Sequence, residues 1–231
     1  MTTINVVRSV MKANDAVAAA NRERLEQAGV LSINIMSSPG SGKTMLLEKI
    51  IPILAPSHCC GVLVGDLQTT RDAERLHPFA SETVQINTGT GCHLTAPQVA
   101  EGLDHLDIAR LSFLFIENVG NMVCPAEFDL GERLRIVLLS IPEGDDKVGK
   151  YPTLFQKADA ILLTKIDLLP VLEFDRGRMR SDLARINTRA PLFEISSKSG
   201  EGMDAWLAWL RQQRMLMSVP GVPPAPGRRV P

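Results

Sequence analysis

The stretch Ser37-Ser38-Pro39-Gly40-Ser41-Gly42-Lys43-Thr44 constrains the fold of this chain more than any other. It stands between an apolar run, Leu31 to Met36, and the helical pattern Met45-Leu46-Leu47-Glu48-Lys49-Ile50. Strand, glycine loop and helix in that order form a phosphate cradle, G-x-x-x-x-G-K-S/T, with Ser37 in place of the first glycine. Gly40 and Gly42 let successive backbone N–H groups converge on a β-phosphate, and the helix start adds its dipole. Lys43 then reaches the β- and γ-phosphates, and Thr44 offers a hydroxyl to Mg²⁺. Ser38, Ser41 and Met45 complete the expected nucleotide contacts.

Six further apolar runs follow: 61–64, 83–86, 111–116, 136–141, 160–163 and 192–195. They lack the alternation of a half-solvated strand, which fits parallel strands buried on both faces. Helical patterns at 43–54, 70–80, 96–106, 176–188 and 203–216 separate them, so the spacing predicts repeated βα units. The fold class that follows is α/β, a three-layer P-loop NTPase with a mainly parallel, doubly wound sheet and an added N-terminal helix. The organisation expected is a helical segment over 1–29 packed on the core, a nucleotide-binding domain over 30–217, and a flexible Pro-rich tail over 218–231.

Several classes are excluded early. With 25 lysines and arginines against 26 carboxylates the net charge is −1, which gives no electrostatic footprint for nucleic acid. No apolar run approaches the roughly 18 residues that span a bilayer, and Lys12, Asn14 and Asp15 interrupt any signal-peptide core. A cytoplasmic protein with no membrane partner is expected. Four cysteines in 231 residues do not make a disulfide framework, so they read as core thiols or metal ligands.

A nucleotide's magnesium needs hard oxygen donors, and Asp66 and Glu117 each end an apolar run where such donors belong. Either could position metal or the attacking water alongside Lys43. The turn Glu117-Asn118-Val119-Gly120 brings a glycine N–H to where a γ-phosphate could be sensed. Downstream, Thr164-Lys165-Ile166-Asp167 resembles the N/T-K-x-D motif of GTPases. A carboxylate at Asp167 can accept from both guanine N1–H and the exocyclic amine, and the Lys165 stem can lie along the base. Ser196-Ser197-Lys198 follows the last strand, and Ser197 with Lys198 is the expected second base contact.

Two segments carry soft donors: Cys92-His93 after the third strand, and Cys124 just beyond the Glu117 turn. Thiolate and imidazole suit Zn²⁺ or Ni²⁺ over Mg²⁺, and three ligands leave a site that a second copy of the chain could complete. Inert buried thiols remain the other reading at this point. Cys59-Cys60 leads directly into a strand and reads as core packing, with His58 in a loop.

Taken together, SSPGSGKT, GDLQTTRDAERL, NTGTGCHLTA, FIENVGNMVCPAEFDLG, EGDDKVGKYP and TKIDLLP closely resemble the nickel-incorporation GTPases of nickel–iron hydrogenase maturation, the HypB type. The resemblance runs from about residue 4 to 217. It implies a SIMIBI-class GTPase that dimerises with GTP and delivers nickel to the hydrogenase large-subunit precursor, with a small zinc-containing nickel chaperone as partner. It further implies a Ni²⁺ or Zn²⁺ site at Cys92, His93 and Cys124 on the dimer interface, and magnesium near Thr44, Asp66 and Glu117. The Cys-rich or His-rich N-terminal tract of many relatives is missing from Met1–Asn14, so tight nickel storage is not expected. Thr95, Pro97 and Glu101 argue against a second metal per subunit. Urease-maturation and cobalamin-enzyme GTPases are the nearest alternatives within the class. A small-molecule kinase would lack a use for Thr164–Asp167, and a storage protein would not need intact Lys43, Thr44, Asp66 and Glu117.

Overall fold

Each apolar run becomes one strand of a single sheet. In the computed structural model, which describes residues 6–217, the strands are β1 (Leu31–Met36), β2 (Cys60–Asp66), β3 (Glu82–Asn87), β4 (Phe113–Glu117), β5 (Leu134–Ser140), β6 (Ala160–Thr164) and β7 (Leu192–Glu194). Their order is β3-β2-β4-β1-β5-β6-β7, and every pairing is parallel. The helices are α1 (Val6–Gln27), α2 (Lys43–Leu54), α3 (Arg71–Leu76), α4 (Ala96–Asp104), α5 (Lys147–Lys150), α6 (Pro152–Gln156), α7 (Arg176–Ile186) and α8 (Met203–Met217). The Pro-rich tail over 218–231 lies outside the described residues.

Alternate residues of each strand point to opposite faces, and both faces are covered. Leu31, Ile33, Ile35, Phe113 and Phe115 meet α2, α3 and α8, where Trp206 is fully buried. On the other face Leu63, Leu114 and Ile116 meet α1 and α4, while Val137, Leu139, Ile161 and Leu163 meet α5, α6 and α7. That double burial is why the runs are almost free of polar residues. Among the described residues no helix is long and apolar enough to cross a membrane.

Departures from the sequence pattern have local causes. β4 starts at Phe113 instead of 111 because Leu111 closes a short 3₁₀ turn over Ile108–Arg110. α3 stops at Leu76, two residues before Pro78, whose ring cannot continue a helix. α5 and α6 escape the periodicity because Gly149 and Pro152 break the segment into single turns. The β7 run ends at Glu194, one residue early.

One buried charge pair anchors the long loop between β4 and β5. The Arg135 Nε donates to Glu132 at 2.6 Å, and both side chains are nearly inaccessible. The rest of the guanidinium donates to the carbonyls of Ala126 and Phe128. Removing one member strands the other in the core, at a cost of about 3–5 kcal/mol. Glu132→Ala is therefore expected to lower the unfolding free energy by that amount in urea titrations, whereas Glu132→Leu combined with Arg135→Met is expected to lose less than the single change.

Candidate functional site

The register brings the strand ends level at the carboxyl edge: Glu117 pairs across from Ile35 on one side and Val64 on the other. Ligands bind at this edge in open parallel sheets. A cavity of about 460 Å³ opens there, lined by the phosphate loop, Asp66, Glu117 and Lys165 among others. Gly40 (φ +74°) and Gly42 (φ +98°) both hold left-handed backbone, which turns the loop's amides inward before α2 begins at Lys43. Ser37, in the place of the usual glycine, is buried and accepts the Lys43 ammonium on its Oγ at 3.1 Å. Burial pulls the Lys43 pKa down against the opposing pull of Glu117. Ser38 contributes its carbonyl to the loop's own turn, and Met45 lies at the cavity rim, partly exposed.

Glu117 and Asp66 sit in contrasting surroundings. Glu117 is buried, takes a hydrogen bond from the Thr44 hydroxyl on Oε1 at 2.8 Å, and has no partner for Oε2. Burial pushes its pKa up to about 7, with Lys43 and Thr44 pulling the other way. Asp66 is nearer the surface. Burial would raise its pKa, but the amides of Gln68 and Thr69 and the Thr69 hydroxyl outweigh that and hold it low. Thr44, Asp66 and Glu117 thus present hard oxygens around one cavity, and the unpartnered Glu117 Oε2 is placed to accept a proton or to ligate a cation.

The Thr164–Asp167 loop is fastened to the phosphate loop. Thr164 donates through Oγ1 to the Ser41 carbonyl at 2.8 Å, and Lys165, itself left-handed, donates to the Gly40 carbonyl at 2.6 Å. Threonine here makes a link across the two loops. Asp167 accepts from Ser196 at 2.6 Å. Ser196 is thus the residue after β7 that meets the carboxylate. Ser197 and Lys198 line a separate hollow beside Lys49 and Asp204. Glu143 opens the segment EGDDKVGKYP with no role assigned to it from the sequence: its Oε2 accepts from Ser41, from the Ser140 hydroxyl and from the Ser140 amide, so it braces the phosphate loop.

Cys92, His93 and Cys124 come together although 32 residues separate the two cysteines. Their ligand atoms all lie within 4.8 Å of one another. The two sulfurs are 3.1 Å apart, and Cys92 Sγ is 3.7 Å from His93 Nδ1. His93 lies against the Phe128 ring, its Nε2 has no partner, and burial lowers its pKa, all of which favour the neutral, ligating imidazole. The hydrogen bond with Cys92 holds the Cys124 thiol above its usual range. By contrast, Cys60 is a core thiol pushed up to about 12 by burial, and His58 packs edge-on to Phe113.

The profile of the CobW/HypB/UreG nucleotide-binding domain matches residues 31–194. The hydrogenase maturation factor HypB of Rhizobium leguminosarum bv. viciae is 47% identical over 90% of this chain and 69% of its own length. The chain belongs to the HypB family. HypB of Escherichia coli K12 is 44% identical over 91% of the chain and 73% of that protein. The crystal structure of Helicobacter pylori HypB in complex with nickel superposes with a TM-score of 0.84 at 41% identity, covering 88% of this chain and 95% of that one. HypB of Archaeoglobus fulgidus gives 0.82 at 38% identity, covering 88% and 99%.

One link between the two centres had no signature in the sequence. Asn118, next to Glu117, is fully buried; its side-chain Oδ1 accepts from the backbone amides of Val119 and of Leu94, the residue after His93. Its side-chain Nδ2 donates to Oδ1 of Asn34 in the middle of β1. The Cys92–His93 loop is therefore tied directly to the end of β4.

A carboxyl whose pKa folding raises from 4.5 to about 7 adds stability at acid pH that is lost as the pH climbs through that window. Urea unfolding without nucleotide or magnesium is expected to show wild-type stability falling relative to Glu117→Gln between about pH 4.5 and 7. Parallel profiles would remove Glu117 from this role.

Proposed function

We propose that the protein is a GTP-switched metallochaperone, which hydrolyses GTP slowly and uses the change of nucleotide state to pass nickel to the large-subunit precursor of a nickel–iron hydrogenase. The observation that carries this reading is spatial. The segment Glu117–Cys124 lines the phosphate cavity at one end and supplies a sulfur to the Cys92/His93/Cys124 cluster at the other.

In this reading the amides of Gly40 to Thr44 and the Lys43 ammonium hold the β- and γ-phosphates, and Thr44, Asp66 and Glu117 are the oxygen donors for Mg²⁺. Magnesium held by these oxygens would supply positive charge against that of the phosphates. Asp66 or Glu117 orients water for attack, Asp167 reads the guanine edge while Ser196 holds it, and Lys165 lies along the base. Ser197 and Lys198, on the loop that follows Ser196, are the second contact to the base. The Gly120 amide is the γ-phosphate sensor: a Cβ there would lie 2.8 Å from Pro39 Cα, so this turn already touches the phosphate loop. Nickel is the cargo, with zinc the competing ion. Three ligands per chain leave coordination for a second copy to complete, so the working form is a homodimer. A small zinc-containing nickel chaperone is the expected donor or helper.

Linkage requires that if nickel prefers one nucleotide state, nickel shifts nucleotide affinity by the same factor. Calorimetry with Ni²⁺ is expected to show tighter binding in one of the GDP and non-hydrolysable GTP-analogue states, lost in Cys92→Ala and accompanied by dimer formation in sedimentation. Equal affinities in both states would overturn the switch. Gly120→Ala forces the turn against Pro39 and is expected to weaken the GTP analogue by about tenfold, roughly 1.4 kcal/mol, with GDP affected less. An equal loss for both nucleotides would show that this amide does not sense the γ-phosphate.

A further inference from the structure

α1 carries no chemistry of its own, and covering the sheet would need only apolar side chains. It nevertheless buries two asparagines, Asn14 and Asn21, which are 4% and 3% exposed. Seven residues apart, they sit two turns along one face of the helix. A buried carboxamide is costly unless its hydrogen bonds are made. Here they are made to backbone atoms of just two segments. Asn14 accepts from the Ala96 amide and donates to the Asp129 carbonyl, both at 2.8 Å. Asn21 donates to the Ala96 carbonyl at 2.9 Å and to the Leu130 carbonyl at 3.1 Å.

Those two segments are the continuations of the loops that bear the soft donors. Ala96 lies three residues after His93, and Asp129 follows Phe128, whose ring rests on His93. Each asparagine bridges both loops, so the two together fix the loops' separation and their relative angle, and neither does so alone. Arg22 reinforces the join with one guanidinium nitrogen on both oxygens of Asp129, at 2.8 and 2.6 Å. The helix is seated at contact distance: a Cβ on Gly131 would lie 2.5 Å from the Ala18 carbonyl and 2.9 Å from the Arg22 nitrogen.

We infer that Asn14 and Asn21 are positioning residues for the Cys92/His93/Cys124 cluster, fastening its two loops to one rigid helix so that the sulfurs and the imidazole meet at ligating distance. The inference rests on the reading of that cluster as the nickel site. Asn118 holds the first loop to β4 and Arg135 holds the second to β5, while the asparagines join both loops to one helix; ordering the loops on the ion instead would subtract from its affinity. Support behind the first ligand layer is typically worth roughly 10- to 100-fold in metal affinity.

The test is a Ni²⁺ titration of the full chain, followed by calorimetry and by the sulfur-to-nickel charge-transfer absorbance. It compares wild type, Asn14→Ala, Asn21→Ala, Cys92→Ala and Arg24→Ala. Arg24 serves as the control because it holds α1 to Asp104 and the Leu103 carbonyl at the far end of α4 without touching either loop. Each asparagine variant leaves the other bridge in place, so the helix remains docked. The expected result is a loss of roughly 10- to 100-fold in nickel affinity and an altered absorbance band for both asparagine variants, with GDP affinity unchanged, while Arg24→Ala lowers the melting temperature only. Wild-type nickel affinity and band in both folded asparagine variants would overturn the inference, as would an equal loss in Arg24→Ala. A wild-type chain with no Cys92-dependent nickel binding would instead sink the metal-site reading on which it stands.

Discussion

A parallel sheet covered by helices on both faces has water only at its ends, and that constraint organises everything else in this molecule. Strands β1, β2, β4 and β6 are buried along nearly their whole length, so apart from Asn34 and Met36 in β1 and the strand-end residues Asp66, Glu117 and Thr164 their side chains are Leu, Ile, Val, Phe and a few small residues. Charged and ligating groups are displaced to the carboxyl edge, where helix starts and loop amides face the same way. Lys43, Asp66, Glu117 and Lys165 follow or end four different strands and still line one cavity. The edge is shared because the strands share a direction.

Several of the polar groups that enter the interior fasten the loops that run from that edge. Asn34 in β1 meets Asn118, which meets the backbone of Leu94. Arg135 at the start of β5 meets Glu132 and two carbonyls of the Cys124-bearing loop. Asn14 and Asn21 meet the same loop from above the sheet. Buried polar contacts of this kind contribute modestly to net stability but are expensive to break, which suits them to fixing one geometry. They converge on the segment between Glu117 and Leu130, the stretch that touches both the phosphate cavity and the sulfur cluster.

Much of this was legible beforehand, for stated reasons. The seven strands announced themselves because double burial demands unbroken apolar runs, and the phosphate loop did so because its glycines, lysine and threonine must be adjacent in sequence to act on one anion. Boundaries moved where local chemistry intervened, at Pro78, at Leu111, and in the Gly149–Pro152 stretch that became two single-turn helices. Around Asp167 the sequence pointed to the Ser196-Ser197-Lys198 segment as a whole, and only the structure shows that the Ser196 hydroxyl is the one on the carboxylate, because a four-residue polar run gives no sign of which side chain turns inward.

The sequence by itself determined the fold class and the phosphate loop, since apolar runs and a glycine-lysine-threonine loop are written in residues that act next to one another or at a fixed period. The strand-end carboxylates and the three soft donors were named without any spacing that joins them, the donors as one site only through the family resemblance. Only the tertiary structure decided that Cys124 meets Cys92, that Glu143 braces the phosphate loop, that Asn118 joins the two centres, and that α1 grips the Cys92–His93 and Cys124 loops together. The physical reason is distance along the chain. These contacts link a side chain to a partner between 24 and 115 residues away, and a lone asparagine or glutamate carries no period or spacing to reveal which distant backbone it will meet.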